Sequence, residues 1–269
     1  MTINDIGCSE FTTDPWALTP VEDVEGGVVL KRDDMFACEV DGMVVQGGKA
    51  RACTLMSAGA AGLTCGSHRD SPQQSIVALV AKKMGVPCVI HTANGKETSQ
   101  QRFALAAGAE IRRHSPGYNT LVTARARSFG EDSGYLVVPF GMESPWQIKG
   151  TAAQVANLPE GFKRLVISMG IGMSLAGVLQ GLEQRGLFVP VLGVAVGADP
   201  TKWTDKYIGE KWRGRVEIVR SRHPYSKKVS GRIGGAELDA VYEAKVLEFL
   251  QDGDLFWIVG VRPGGTEPR

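Results

Sequence analysis

The sequence has almost no net charge. Thirty lysines and arginines face 29 aspartates and glutamates, a formal +1, so no global field recruits nucleic acid, an anionic membrane or another polyanion. Cysteine is sparse and unpatterned. Cys8, Cys38, Cys53, Cys65 and Cys88 are odd in number and form no C-x-x-C pair, and the four histidines are scattered. That argues against a zinc site or a disulfide framework and suits a reducing compartment. Long apolar runs are missing too: the longest, "LFVPVLGVAVGA", has 12 residues and an internal proline, too short to span a bilayer. The N-terminus has no basic stretch followed by an apolar core. These absences predict a cytoplasmic protein with a small-molecule partner and no resident metal.

At 269 residues the chain is long enough for one large or two small domains and a sizeable core. From about residue 60, short β-rich runs alternate with helical patterns, the signature of an α/β protein with a mostly parallel sheet. Strand candidates are "GLTCG", "PCVIHT", "AEIRR", "YLVVPF", "RLVIS", "PVLGVAV", "RVEIV" and "LFWIVGV". The helix candidates between them carry clear punctuation. Ser71 is placed as an N-cap with Pro72 at the first helical position, and Gly85 and Pro87 close that helix. Thr98 caps "TSQQRFALAAG", which ends at Gly108. Residues 173–186 and 236–251 read as two further helices. No low-complexity linker or repeat divides the chain, so any second domain interleaves with the first. Three strand–helix units over 87–138 mark the smaller one.

Four segments carry chemistry. In "VVQGGKARACTLMSAG", Lys49 follows two glycines at the mouth of a helix. An amine is a useful nucleophile only when deprotonated, and desolvation or a carbonyl partner supplies that condition. Glycines 47 and 48 would let a flat ligand approach the backbone. Read alone, the stretch also fits a surface turn. The second segment, "LVISMGIGMSLAGVLQGL", turns through Gly170 and Gly172 into a helix capped near Ser174, and aims backbone N–H groups and a helix dipole at one place suited to a phosphate. It is neither a lysine-bearing P-loop nor a well-formed G-x-G-x-x-G. The apolar sequence beyond Gly172 lacks the acidic residue that a dinucleotide-binding protein needs for a ribose. The third, "CGSHRDSPQQ", places His68, Arg69, Asp70, Ser71 and Gln73 at a strand-to-helix turn, with donors suited to a carboxylate. The fourth, "LDAVYEAKVLEFL", sets Tyr242 and Lys245 one helical step apart. Trp146, Trp203 and Trp212 serve either packing or a larger substrate.

In this order the segments resemble the pyridoxal-phosphate enzymes of the tryptophan synthase β-like fold, most closely the aminocyclopropane-carboxylate deaminase and D-cysteine desulfhydrase branch. Thr19-Pro20 and "VVLKRDD" match its early Thr-Pro and Lys-Arg-Asp-Asp strand. "QGGKAR" is similar to its Gly-Gly-Asn-Lys-x-Arg, Ser71-Pro72-Gln73 falls on its Ser-Asn-His loop, and "VPFGMESPWQIKG" on its Pro-x-Gly-Gly-x-Ser segment. "SMGIGMSLAG" falls on its phosphate loop and "LDAVYEAK" on its Asp-Pro-Val-Tyr-Glu-Gly-Lys. The match is collinear over nearly the whole chain.

The resemblance implies two interleaved three-layer αβα domains, a large one over 1–50 and 139–269 and a small one over 51–138. It implies pyridoxal 5'-phosphate held covalently by Lys49, its phosphate in the loop Gly170, Ile171, Gly172, Met173 and Ser174, with Gln73 and Thr266 as further cofactor contacts. Ser71, Tyr242 and Tyr225 would bind or orient an amino-acid substrate, in a homodimer that carries out deaminase- or lyase-type chemistry. The sequence departs from the pattern at Gly48, Pro72, Gln73, Met173 and Ser174. These departures keep open a second reading, a binding or regulatory protein that retains cofactor or phosphate without turnover.

Overall fold

The computed structural model describes residues 11–115, 119–197, 206–207 and 209–263. Two separate sheets organise it. The larger joins β1 (Val21–Val24), β2 (Val28–Arg32), β9 (Arg164–Met169), β10 (Val191–Ala195), β11 (Val216–Arg220) and β14 (Asp254–Ile258) in the order β1-β2-β14-β9-β10-β11. All neighbours are parallel except the antiparallel edge pair β1 and β2. β10 and β14 are buried along their whole length, as expected for parallel strands covered on both faces, and this is why they read as continuous apolar runs.

The smaller sheet is wholly parallel, with order β7-β6-β5-β8, from β5 (Leu63–Gly66), β6 (Cys88–Ala93), β7 (Glu110–His114) and β8 (Leu136–Val137). Its helices are α2 (Gln73–Met84), α3 (Ser99–Ala106) and α4 (Asn119–Ser133). A hairpin of β3 (Ala37–Val40) and β4 (Met43–Gln46) leads into α1 (Gly48–Met56). Helices α5 (Pro145–Ala153) and α6 (Met173–Gln184) pack on each other beside the larger sheet. We propose that the two sheets mark the two units expected from the sequence. The smaller sheet draws only on residues between 63 and 137, which supports a small unit over 51–138, although Phe36, Cys38 and Val45 of the hairpin share its core.

Local punctuation explains where the helices lie. Thr98 forms a full capping box with Gln101 at the start of α3, satisfying two otherwise unpaired N–H groups. Gly85 closes α2 in the left-handed region at φ 69°. α2 begins one residue later than the sequence predicts, with Pro72 in the cap position and the Ser71 hydroxyl accepting from the Gln73 N–H at 3.3 Å. α6 is capped by Gly172, not Ser174.

The expected helix over 236–251 is absent. β13 (Ala236–Glu237) pairs with β12 (Arg232–Ile233), and a 3-10 stretch, Glu243–Phe249, follows. The cause is Asp239, whose Oδ1 accepts from the N–H groups of Val241 (2.8 Å) and Tyr242 (3.0 Å), giving the backbone a partner that competes with the α-helical ladder.

Candidate active site

Lys49 lies in the first turn of α1, and the glycines before it serve the chain's own packing. Gly47 has φ 89°, and a Cβ there would stand 2.5 Å from the Gly260 Cα and the Val259 carbonyl oxygen just beyond β14. The Gly48 N–H donates to that same Val259 oxygen at 2.9 Å, and a Cβ on Gly48 would reach 2.9 Å from Asp33 Oδ2. The bare backbone that the sequence suggested for a flat ligand is needed, first of all, to seat α1 against the end of β14. It thereby fixes where Lys49 starts.

The Lys49 ammonium sits 5.9 Å from the centroid of the Tyr242 ring. Burial, reinforced by the Arg262 guanidinium, pulls its pKa below the usual lysine range, while Glu243 and Asp239 oppose the shift. Tyr242 links the lysine to the glycine turn after β9, since a Cβ on Gly170 would stand 3.3 Å from the Tyr242 hydroxyl. That turn runs through Ile171 and Gly172, the latter at φ 85°, into Met173 and Ser174 at the head of α6, where the first N–H groups of a helix lack intrahelical partners. Gln147 connects the turn to α1: its Nε2 donates to Ser174 Oγ at 3.4 Å and lies 3.6 Å from where a Gly48 Cβ would be. Among the described residues its Oε1 is buried without a hydrogen-bond partner.

The predicted residues separate into two groups. Lys49, Tyr242, Gly170 and, through a 5.9 Å edge-on ring contact, Tyr225 converge. Ser71 reaches them through its neighbour, because Arg262 Nη1 donates to the Asp70 carbonyl at 3.4 Å while its Nη2 donates to the Tyr225 hydroxyl at 3.1 Å. Gln73 stands further off. Its Nε2 donates to the Pro139 carbonyl at 3.0 Å and its Oε1 accepts from the Gly141 N–H at 3.1 Å. It meets the turn through Gly141, which packs on Ile171. Thr266 and Trp203 lie outside the described residues. Trp212 is buried in the core of the larger sheet, and Trp146 is exposed beside Lys149.

Sequence reasoning missed two site residues. Glu243, next to Tyr242, is buried and accepts from Ser168 Oγ at 3.0 Å. Burial, with Asp239 adding to it, pushes its carboxyl up to about 8. Arg262 pairs with Asp239 at 3.2 Å and lies 5.8 Å from the Tyr242 ring. The signal for Glu243 was its adjacency to Tyr242, hidden by the helical reading of that segment, in which successive residues face apart. Arg262 had no motif around it. Lys245, one helical step from Tyr242 in the sequence reading, is buried and donates to the Pro224 carbonyl at 2.8 Å, pinning the Tyr225 loop from beneath.

Glu243 makes the stability of the fold depend on pH. Its pKa in the fold lies above the ordinary 4.5, so between 4.5 and about 8 the folded protein holds a proton that the unfolded chain releases. Stability from this group therefore falls as pH rises through that window and levels above it. Glu243→Gln keeps an acceptor for Ser168 and removes the titration. Its melting temperature is expected to gain steadily on wild type from pH 5 to pH 8 and then hold; a difference independent of pH would mean that the carboxyl titrates normally.

The family model described as "Pyridoxal-phosphate dependent enzyme" matches residues 75–231, more than half of the chain. Lys49 lies before the matched span. Among solved structures, an ACC deaminase homologue is 23% identical, with 94% of this chain and 92% of that one covered at a TM-score of 0.75. Threonine deaminase isoform 2 from Solanum lycopersicum is 16% identical, covering 90% and 79% at 0.65. A maize serine racemase is 16% identical, covering 91% and 88% at 0.60. No curated protein matches the sequence. The fold is thus the tryptophan synthase β-like one, α/β with mostly parallel sheets.

Proposed function

The chain belongs to the pyridoxal-phosphate dependent enzymes, and from that premise we propose that it acts on a small amino acid or amino-acid-like group by deaminase- or lyase-type chemistry. The observation that carries this reading is the convergence of a desolvated lysine, Lys49, on Tyr242 beside the buried carboxyl of Glu243.

The residues present fit the cofactor. Gln147, whose Nε2 lies between Gly48 and Ser174, keeps its buried Oε1 without a partner among the described residues, and an orphaned polar atom of that kind needs explaining. The turn Gly170, Ile171, Gly172, Met173 and Ser174 offers backbone donors and a helix N-terminus for a phosphate. Lys49 would hold the aldehyde, and Glu243, able to keep or release a proton near neutrality, would serve with Thr266 as a candidate partner for the ring nitrogen. When bound, pyridoxal phosphate supplies the sink for the electron pair released at the substrate's α-carbon.

The chain's own residues do the rest. Lys49, poised towards its neutral form, takes or returns a proton at Nζ. Tyr242, whose hydroxyl burial pushes upward in pKa, stays protonated and orients the substrate, and Ser71 at the mouth of α2 offers a hydroxyl to its carboxylate. A cytoplasmic homodimer belongs to the same proposal. The buried free thiols of Cys38, Cys53, Cys65 and Cys88 support a reducing compartment, and among the described residues no helix is long and apolar enough to cross a membrane.

The test is an absorption spectrum of the purified protein with added pyridoxal phosphate, before and after borohydride reduction and peptide mapping. A band near roughly 410–430 nm that reduction fixes to Lys49 is expected, together with an amino acid that shifts it and yields product. A band fixed to some other lysine would overturn the assignment. A shifted band without product would favour the binding-protein reading.

A further inference from the structure

We infer that Arg262 is a positioning residue that sets the substrate side of the site in register, holding Tyr225, Tyr242 and the Ser71 loop so that they meet an amino acid together. The inference rests on the amino-acid reading above and adds a residue to its machinery. Arg262 lies just beyond β14, and its guanidinium touches all three segments that carry those residues. Nε pairs with Asp239 Oδ2 at 3.2 Å, Nη2 donates to the Tyr225 hydroxyl at 3.1 Å, and Nη1 donates at 3.4 Å to the carbonyl of Asp70, the residue before Ser71. The Asp239 contact extends to Tyr242, because the other oxygen of that carboxylate accepts from the Val241 and Tyr242 N–H groups.

The anchorage of this arginine fits such a role. Asp239 is buried, so its charge holds the guanidinium in place. The neighbouring Pro263 carbonyl accepts from Gln100 Nε2 of α3 at 2.9 Å, and Gln100 Oε1 accepts from Ser75 Oγ of α2 at 2.7 Å. Arg262 therefore starts from a point fixed on the helices of the smaller sheet and reaches the tyrosines beside the larger one. Its guanidinium stands 5.9 Å from the centroid of the Tyr225 ring and 5.8 Å from that of Tyr242.

The chemistry of the contacts gives the register a consequence. A guanidinium presents its donors in a rigid planar fork, whereas an ammonium is a point charge on a flexible stem; only the fork reaches Asp239, Tyr225 and Asp70 at once. The Tyr225 oxygen accepts from Arg262, which leaves the phenolic proton to be donated elsewhere. A substrate oxygen is the acceptor that the amino-acid reading supplies. The Asp70 contact is the longest of the three, and hydrogen bonds of a site are often long until the substrate is in place. Binding at Ser71 would draw it in.

Arg262→Lys tests the role, since it keeps a cation for Asp239 and removes the fork. The cofactor-loaded protein is titrated with alanine, serine and threonine in both enantiomers and with aminocyclopropane carboxylate, reading the half-saturating concentration for the shift of the cofactor band. The cofactor-free protein is melted alongside. For the amino acid that wild type binds best, Arg262→Lys is expected to raise the half-saturating concentration about tenfold or more, with the lysine-bound band and the cofactor-free melting temperature close to wild type. Tyr225→Phe is expected to weaken binding by about fivefold in the wild type and by less than about twofold in Arg262→Lys, where the hydroxyl has already lost its orientation. Wild-type affinity in an Arg262→Lys protein that melts normally would overturn the positioning role and leave the amino-acid reading standing. So would a melt far below wild type with affinity lost in proportion, which would make Arg262 a structural cross-link. A wild-type band that no amino acid shifts would overturn that reading, and this inference with it.

Discussion

Lys49→Ala is expected to lose turnover by about 10³-fold or more on any amino acid that the wild type consumes, while melting at the same temperature as wild type or higher. The two halves of this expectation have one cause. The ammonium is held where burial and the Arg262 charge both disfavour its protonated form. The buried lysines Lys31 and Lys245 are held by backbone carbonyls, whereas Lys49 makes no hydrogen bond or ion pair among the described residues: Glu243 and Asp239 act on it electrostatically, yet Asp239 is already paired with Arg262. Groups whose protonation is disfavoured in this way cluster at functional sites, and removing them relieves the fold while abolishing chemistry. Steady-state turnover and a thermal melt on the same preparation check both halves. A variant that melts well below wild type with turnover reduced in proportion would make Lys49 a structural residue.

How much of this was legible in the sequence depends on the range of the interaction. The α3 capping box and the glycine end of α2 involve residues close in the chain, and the punctuation placed both helices. From residue 60 onward the parallel strands of both sheets were legible as short β-rich runs, the buried ones such as β10 and β14 because they are covered on both faces, whereas β1 and β2 were not among the strand candidates. What failed is long-range or turns on a single side chain. Asp239 captured two N–H groups and replaced an expected helix with a 3-10 stretch. That in turn hid Glu243, since its site neighbour Ser168 lies 75 residues away. Gly47 and Gly48 were marked for the approach of a flat ligand, and the packing that also requires them is long-range, Gly47 against the backbone at Val259 and Gly260 and Gly48 against Asp33. Arg262 joins Asp70, Tyr225 and Asp239, three segments that no local pattern relates.

The second large effect concerns what holds α1 in place. Two residues along that helix from Lys49 and on its other side, Arg51 forms an ion pair with Asp33, with side chains 1% and 0% exposed. Asp33 also accepts from Trp257 Nε1 of β14 at 3.3 Å and packs beneath Gly48. The guanidinium lies 5.1 Å from the Phe36 ring. The pair therefore joins α1 to the turn after β2 and to β14, the same junction for which Gly47 is shaped. Asp33→Ala leaves the arginine charged, enclosed and facing only an aromatic ring, and is expected to cost about 3–5 kcal/mol in urea unfolding. Arg51→Met should cost a similar amount by stranding the carboxylate. The double variant is expected to be more stable than Asp33→Ala alone, because it leaves no unpaired charge behind. This separates the pair's own contribution from the penalty of breaking it. If the double variant instead cost the sum of the two singles, Asp33 and Arg51 would support the fold independently, and α1 would owe its position to the glycine contacts with Val259 and Gly260.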